Sequence, residues 1–460
     1  MNRTMLEMSQ MFEFHPVLKE ENTSKTKYLN VLEYFVRKYS AKDSWSVQTF
    51  HLYIKRFLGD ETYYSYGSSN LYEKFVSASK FLFFYRDCLM IDSIFICAYE
   101  NKYKREKIFE ELASMYPYPK QYQQKMRQVF DALYDSDAFI EKTEQIQYLK
   151  LSWEKNREYI KQKPVKIGIT ANMSAGKSTL LNALIGKKVN RTQNDACTAK
   201  IHYIVNKPFE DGFCYKMDEF LELDADYNAL MRDNVNSSSS EITVGTRFRT
   251  IKEISQRIWL LDTPGVNSSR HKEHKLLTEE TIRNVPLNLL VYLLNGENIG
   301  SDDDRKHLLF VLKHYHGKIL FVVNKLDRYR KNEDSVEQTL KIVKEDLRNI
   351  GFKNPDVVPV SAYAAYLAKK KLFSEAFSED EQDEYELLRR KMKSPEYQLD
   401  TYYPKEIKTS VQSSCDIEKH QFLLHSGLLC LENMIYGMDQ EDPWYFHMKK
   451  YLEELIYNMR

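Results

Sequence analysis

The stretch Val165–Gly186, VKIGITANMSAGKSTLLNALIG, decides how this chain is read. It opens with a β-branched run, Val165 to Thr170, of the kind that forms a buried strand. A tight turn follows, from Ala171 through Asn172, Met173, Ser174, Ala175, Gly176 and Lys177 to Ser178. Thr179 to Ile185 then continues at helical spacing, with Leu180, Leu181, Leu184 and Ile185 apolar and Gly186 as a stop. Strand, glycine turn and helix are the setting of a phosphate-binding loop. Backbone N–H groups at the helix start point at an anion, and the helix dipole adds favourable potential. Asn172 to Thr179 are the residues expected around the phosphates. Lys177 reaches the outer ones, and the Ser178 hydroxyl is placed to ligate Mg²⁺. The usual pattern begins with Gly. Here Ala171 stands in that place, where a Cβ hinders the backbone shape that Gly permits.

With 460 residues the chain has length for roughly two or three domains. Its 67 basic and 66 acidic residues nearly cancel, which argues against a nucleic-acid partner. The six cysteines (Cys88, Cys97, Cys197, Cys214, Cys415, Cys430) form no CxxC pair and no zinc spacing, and read as free thiols of a reducing compartment. The N-terminus has no basic–apolar–small signal pattern. The most apolar stretch, Phe81–Ala98, is interrupted by Arg86, Asp87 and Asp92, and reads as a core helix and not a membrane span. A cytoplasmic protein is expected.

Residues 1–163 show repeated periods near 3.6. Tyr28, Leu32, Phe35 and Tyr39 share a face; Phe50, Ile54, Phe57 and Leu58 continue the pattern; Ile108 with Leu112, and Met126 with Val129, Phe130 and Leu133, give further stripes. An α-helical domain of about six helices is expected, its aromatic stripes forming the core. His15 and His51 are isolated and read as structural or exposed.

Beyond Pro164 the motifs follow in order. Val189–Lys200 is a polar loop leading into a strand, Ile201–Val205. Such a loop presents a threonine to Mg²⁺ and the γ-phosphate; Thr198 is the first candidate and Thr192 the second. Asp218–Asp233 reads as helix and Asn234–Ser240 as linker. Arg257–Gly265, RIWLLDTPG, is an apolar strand ending in a DxxG motif, whose Asp262 can hold Mg²⁺ through water while the Gly265 N–H meets the γ-phosphate. Asn288–Asn295 is the next strand. After it Ser301 caps a helix whose Asp302, Asp303 and Asp304 complement the dipole. Lys318–Val323 runs into Asn324-Lys325-Leu326-Asp327. A carboxylate at Asp327 accepts from the ring N–H and amine of guanine, a donor pair adenine lacks. Asn324 braces the loops, the Lys325 stem lies over the base, and Ser361-Ala362 brings a backbone N–H to the guanine oxygen. The ordered set AxxxxGKS, Thr, DTPG, NKxD and SA points to GTP, bound at the strand ends of an open α/β sheet.

On these residues the chain resembles the bacterial dynamin-like GTPases. The resemblance rests on Ser174-Ala175-Gly176-Lys177-Ser178, on Cys197-Thr198-Ala199, on Leu293–Asp304 and on the closing segment His425–Tyr436. It covers about Pro164–Gly437. It implies an α/β fold: a P-loop GTPase domain with a mostly parallel central sheet over residues 164–437. An N-terminal α-helical domain, 1–163, and a short C-terminal helix, 438–460, packing on that domain complete the expected organisation. Of the latter, Trp444–Tyr457 allows one helix. A Mg²⁺-dependent GTPase is implied, with Ser174, Lys177, Thr198 and Gly265 in catalytic roles, and Ser178, Thr198 and Asp262 around the metal. Pairing of GTPase domains, in a homodimer or with a partner dynamin-like chain, orders the switches. Membrane lipid at the inner face of the membrane is a further implied partner. Two other readings stay open: a GTP-regulated switch or scaffold that binds a protein partner, and a nucleic-acid-linked GTPase, against which the balanced charge counts.

Overall fold

The computed structural model describes residues 3–10, 12–65, 79–115, 120–134, 144–172, 174–189, 200–231, 241–264, 272–330, 334–414 and 416–437. The chain divides into two compact units. One gathers the residues up to Lys161 together with Pro208–Ala225; the other holds Gln162–Lys207 and the residues from Asp226 onward.

The first unit is helical. Its described helices are Asn22–Ser40, Ser44–Leu58, Ser79–Phe84, Arg86–Ala98, Lys102–Ser114, Lys120–Ala132 and Glu144–Lys161. The apolar stretch read as one core helix is two, divided at Tyr85. In the second, every residue from Cys88 to Ala98 is buried, so it forms the axis on which the amphipathic faces close. Among the described residues, no helix is long and apolar enough to cross a membrane.

One acid on that axis organises the polar part of the core. Asp92 is fully buried and accepts from Tyr28 Oη (2.7 Å), Tyr53 Oη (2.9 Å), His15 Nε2 (2.9 Å) and Gln10 Nε2 (3.2 Å). His15 Nδ1 accepts from the Val17 N–H, which leaves Nε2 as the protonated nitrogen that donates to Asp92. His15 is therefore structural, and it pins the N-terminal segment to the bundle.

Pro208–Ala225 completes this unit. Strands β3 (Tyr215–Met217) and β4 (Leu221–Glu222) pair antiparallel as a hairpin. Its turn is closed by Asp218, whose N–H donates to Phe220 O and whose carboxylate accepts from the Phe220 N–H. Gln48 takes both sides of the returning backbone, donating to Leu221 O (2.6 Å) and accepting from Leu223 N (2.9 Å). Arg56 donates to Asp211 O (2.6 Å) and lies over the Phe213 ring. Among the described residues of the helix expected over Asp218–Asp233, the start belongs to the hairpin and Tyr227–Met231 is helical.

The second unit is built on a sheet. Its strands are β1 (Val165–Ala171), β2 (Ile201–Asn206), β5 (Glu241–Thr246), β6 (Ile258–Asp262), β7 (Leu289–Asn295), β8 (Ile319–Asn324) and β9 (Asp356–Pro359). They run in the order β5-β2-β6-β1-β7-β8-β9. All neighbours are parallel except β2 and β6. This is a mostly parallel sheet, and its near-continuous apolar strands fit burial on both faces. Helices Lys177–Ile185, Lys272–Asn284, Asp302–His314, Val336–Ile350 and Ala362–Leu372 follow β1, β6, β7, β8 and β9 in turn. Glu379–Lys391 begins with a complete capping box between Ser378 and Glu381. Behind the edge, buried Lys369 donates to Leu184 O (3.0 Å) and pairs with buried Glu432 (2.5 Å), joining three helices. Burial lowers the lysine's pKa and raises the glutamate's. Residues 438–460 lie outside the described residues.

Asp92→Ala leaves four buried donors without their acceptor. It is expected to cost about 3 kcal/mol of stability in urea unfolding, with Asp92→Asn costing less because one acceptor oxygen remains.

Candidate functional site

Parallel pairing puts the ends of β1, β6, β7, β8 and β9 on one edge of the sheet, and each end carries a polar residue or turn. In register, Ile169 stands beside Asp262, and Asn295 beside Asn324. Because β2 is antiparallel to β6, its start faces the same edge, with His202 beside Asp262.

The turn after β1 bends through two left-handed residues, Ser174 (φ 62°) and Gly176 (φ 89°). Gly176 is required twice over. It supplies the positive φ, and a Cβ there would lie 2.4 Å from Asn324 Nδ2. Helix Lys177–Ile185 starts immediately after it, so Lys177, Ser178 and Thr179 bring their backbone N–H groups to the loop. Lys177 Nζ pairs with Asp262 Oδ1 at the end of β6. Next to it Thr263 Oγ1 donates to Ile169 O (3.0 Å), and Thr278 Oγ1 donates to Pro264 O (2.8 Å).

Asn324 ties this loop to the others. Its Nδ2 donates to Ala175 O (2.9 Å), its Oδ1 accepts from the Ala362 N–H (2.9 Å), and its carbonyl accepts from the Gly296 N–H (2.9 Å). Asp327 Oδ1 accepts from Ser361 Oγ (2.7 Å), and its carbonyl accepts from Lys391 Nζ (2.6 Å). Lys325 adopts a left-handed φ of 66°, and its ammonium lies 3.4 Å from Glu297. Arg328 approaches the same carboxylate at 3.4 Å. Met173, Thr192, Thr198 and Gly265 lie outside the described residues. The other residues named from the sequence come together on this edge: Asn172, Ser174, Ala175, Gly176, Lys177, Ser178, Thr179, Asp262, Asn324, Lys325, Asp327, Ser361 and Ala362.

The sequence profile of the dynamin family matches residues 167–326. Over this segment the chain is similar to the dynamin family. No curated protein sequence matches the chain. Among solved structures, a bacterial dynamin pair titled for long-range sensing and tethering of membranes aligns over 95% of this chain and 64% of its own, at 17% identity and a TM-score of 0.35. Era of Aquifex aeolicus bound to GDP.AlF4- aligns over 46% of this chain and 57% of its own, at 16% identity and a TM-score of 0.26. Toc33 of Arabidopsis thaliana with Mg²⁺ and GMPPNP aligns over 54% and 80%, at 14% identity and a TM-score of 0.27. The chain therefore spans under two thirds of the length of the first two.

Three side chains of the second unit carry contacts that the motifs did not announce. Glu297 holds Lys325 and Arg328, as above. Asp304 accepts from Asn172 Nδ2 and, at its other oxygen, from Ser301 Oγ (3.1 Å). His307 Nε2 lies 2.9 Å from Thr170 Oγ1. The acidic triplet had a sufficient reading in the helix dipole, and nothing in its spacing separates Asp304 from its neighbours.

His307 is buried, and desolvation, helped by the positive charge of Lys275, lowers its pKa from 6.5 to about 4. The neutral ring is therefore the folded form at neutral pH. A histidine depressed on folding contributes stability that is present above its unfolded pKa and is lost as pH falls toward the folded value. Unfolding between pH 7 and pH 4 is expected to show that loss, about 3 kcal/mol, and His307→Gln to remove most of it.

Proposed function

We propose that this chain binds and hydrolyses GTP at the edge formed by the ends of β1, β6, β8 and β9, in a cycle completed by a second GTPase domain. The single observation that carries the reading is Asn324. One side chain there spans the phosphate-loop carbonyl of Ala175 and the Ala362 N–H, so the phosphate-side and base-side motifs form one site.

In this reading the backbone N–H groups from Asn172 to Thr179 and the Lys177 ammonium hold the phosphates. Asp327, Lys325, Ser361 and Ala362 hold the base, and the Asp327 carboxylate selects guanine by accepting its two donors. Ser178, Asp262 and Thr198 present only oxygen donors, the set that suits a hard divalent cation. Those residues would hold Mg²⁺, which when bound supplies positive charge beside the phosphates. Water attacks the γ-phosphorus, a P–O bond to the attacking oxygen forms, and the bond to the β–γ bridging oxygen breaks. GDP leaves with that electron pair, and the water's proton passes to the released phosphate. The protein's share is positioning and charge, roles this reading assigns to Ser174, Lys177, Thr198 and the Gly265 N–H.

The dynamin-type domain supports the further reading that two such domains pair across the nucleotide, from two copies of this chain or from this chain and a dynamin-like partner. The proposed setting is cytoplasmic, with peripheral attachment to membrane lipid. The helical unit has no GTP chemistry assigned to it and is the part proposed to meet that surface or partner.

GTP turnover per molecule is expected to climb with protein concentration across a dilution series, and liposome co-sedimentation to increase with GTP. Turnover that is slow and flat with dilution would remove the paired-domain reading and leave a GTP-regulated switch.

A further inference from the structure

The phosphate loop of this chain is held from the side by a helix that carries none of its motifs. Thr170 and Asn172 lie two residues apart at the end of β1, and Asp304 and His307 lie three apart on helix Asp302–His314. The two pairs meet as successive rungs, Thr170 with His307 and Asn172 with Asp304. Of the three acids that open the helix, Asp302 and Asp303 are exposed, while Asp304 is 5% exposed. Exposed acids already complement the helix dipole, so burial of the third needs another cause. Its two oxygens accept from the loop amide of Asn172 and from the Ser301 hydroxyl.

We propose that Asp304 is a positioning residue of the phosphate loop, acting through Asn172, with His307 steadying the strand end at Thr170. The inference rests on the phosphate-loop reading given above. β1 keeps strand pairing as far as Ala171, which stands in register with Leu293 of β7. Asn172 is the first residue beyond that pairing, so its side chain is the first place where the loop can be fixed before Ser174 and Gly176 turn it. A loop already ordered loses less conformational entropy when it closes on phosphates. The same ordering keeps its N–H groups aimed while charge moves in the transition state. Asp304 touches neither phosphate nor water in this account, and its effect passes through Asn172.

The test compares the full chain with N172A, D304A, D304N, the N172A/D304A double variant and K177A. Hydrogen exchange over residues 165–176 without nucleotide reads the tether directly. D304A and N172A are each expected to speed exchange after Ala171 by about tenfold. Steady-state kinetics is expected to show kcat/KM for GTP falling about tenfold in each, with the double variant no worse than the poorer single. D304N keeps an acceptor oxygen for the Asn172 amide and is expected to recover most of both readouts. A side chain that merely supports the fold would lower the urea midpoint and leave exchange of this loop, relative to the rest of the sheet, unchanged. Unchanged exchange with kcat/KM within about twofold of the parent, or fully additive losses in the double variant, would overturn the proposal. K177A is expected to abolish GTP binding. Binding that survives it overturns the phosphate-loop reading, and the exchange comparison still decides the tether.

Discussion

The edge of the sheet depends on a close approach: the Asn324 amide sits against Gly176 where no Cβ fits. From that contact one nitrogen reaches Ala175 O, and one oxygen receives the Ala362 N–H. One partner is a turn carbonyl and the other a first-turn helix N–H, and neither has a ladder or helix partner to satisfy it. A side chain with both a donor and an acceptor end is what two such turns need if they are to be held by one residue. Aspartate at this position would present no donor to Ala175 O. The glycine is set by the amide as much as by the turn's positive φ, so loop and brace have to be read as a pair.

The parallel register makes this possible. In a parallel sheet with each strand followed by a helix, every loop leaving a carboxyl end emerges on the same side. β1, β6, β7, β8 and β9 obey this, and so residues as far apart in sequence as Lys177, Asp262 and Asn324 stand at one edge. The exception is β2, which runs against β6. Its reversal turns the start of the strand to the edge, with His202 beside Asp262. Antiparallel pairing thus serves the same edge that parallel pairing builds.

The motif-bearing strands were legible because each shows its reason locally. Val165–Thr170, Ile258–Leu261 and Ile319–Val323 are apolar runs closed by a turn residue, and the turn residues are the chemistry. The helical class of the first unit was legible for the same reason, through its 3.6-residue stripes. What was not legible depends on partners far away in sequence. Asp92 looks like an interruption of an apolar helix until four donors from three other segments surround it. Asp304 looks like Asp302 and Asp303 until Asn172 is brought beside it. Asp218–Asp233 has local features of a helix, yet Gln48 holds its first part as a hairpin. Tertiary hydrogen bonds overrode a weak local preference. Glu297 belongs to the same class, since a carboxylate in a loop declares no partner.

The membership of Pro208–Ala225 bears on whether the helical unit is a separable module. Phe213 and Tyr215 are 2% and 3% exposed, and their surroundings include Phe12, Trp45 and Arg56 of the first unit. Ser9 Oγ donates to Phe209 O (3.0 Å), so even the N-terminal turn is fastened to this segment. The core of the unit is therefore assembled from two stretches of chain, with β1 and β2 translated between them. Residues up to Lys161 alone would lack two buried aromatic rings and the carbonyls that Ser9, Gln48 and Arg56 bond. A chain beginning after Lys161 would instead expose those rings to water. Large apolar surface laid open in this way costs more than a surface loop tolerates. The helical unit and its hairpin are thus one folding element, interrupted in sequence and continuous in its core, and a cut at residue 161 divides that element.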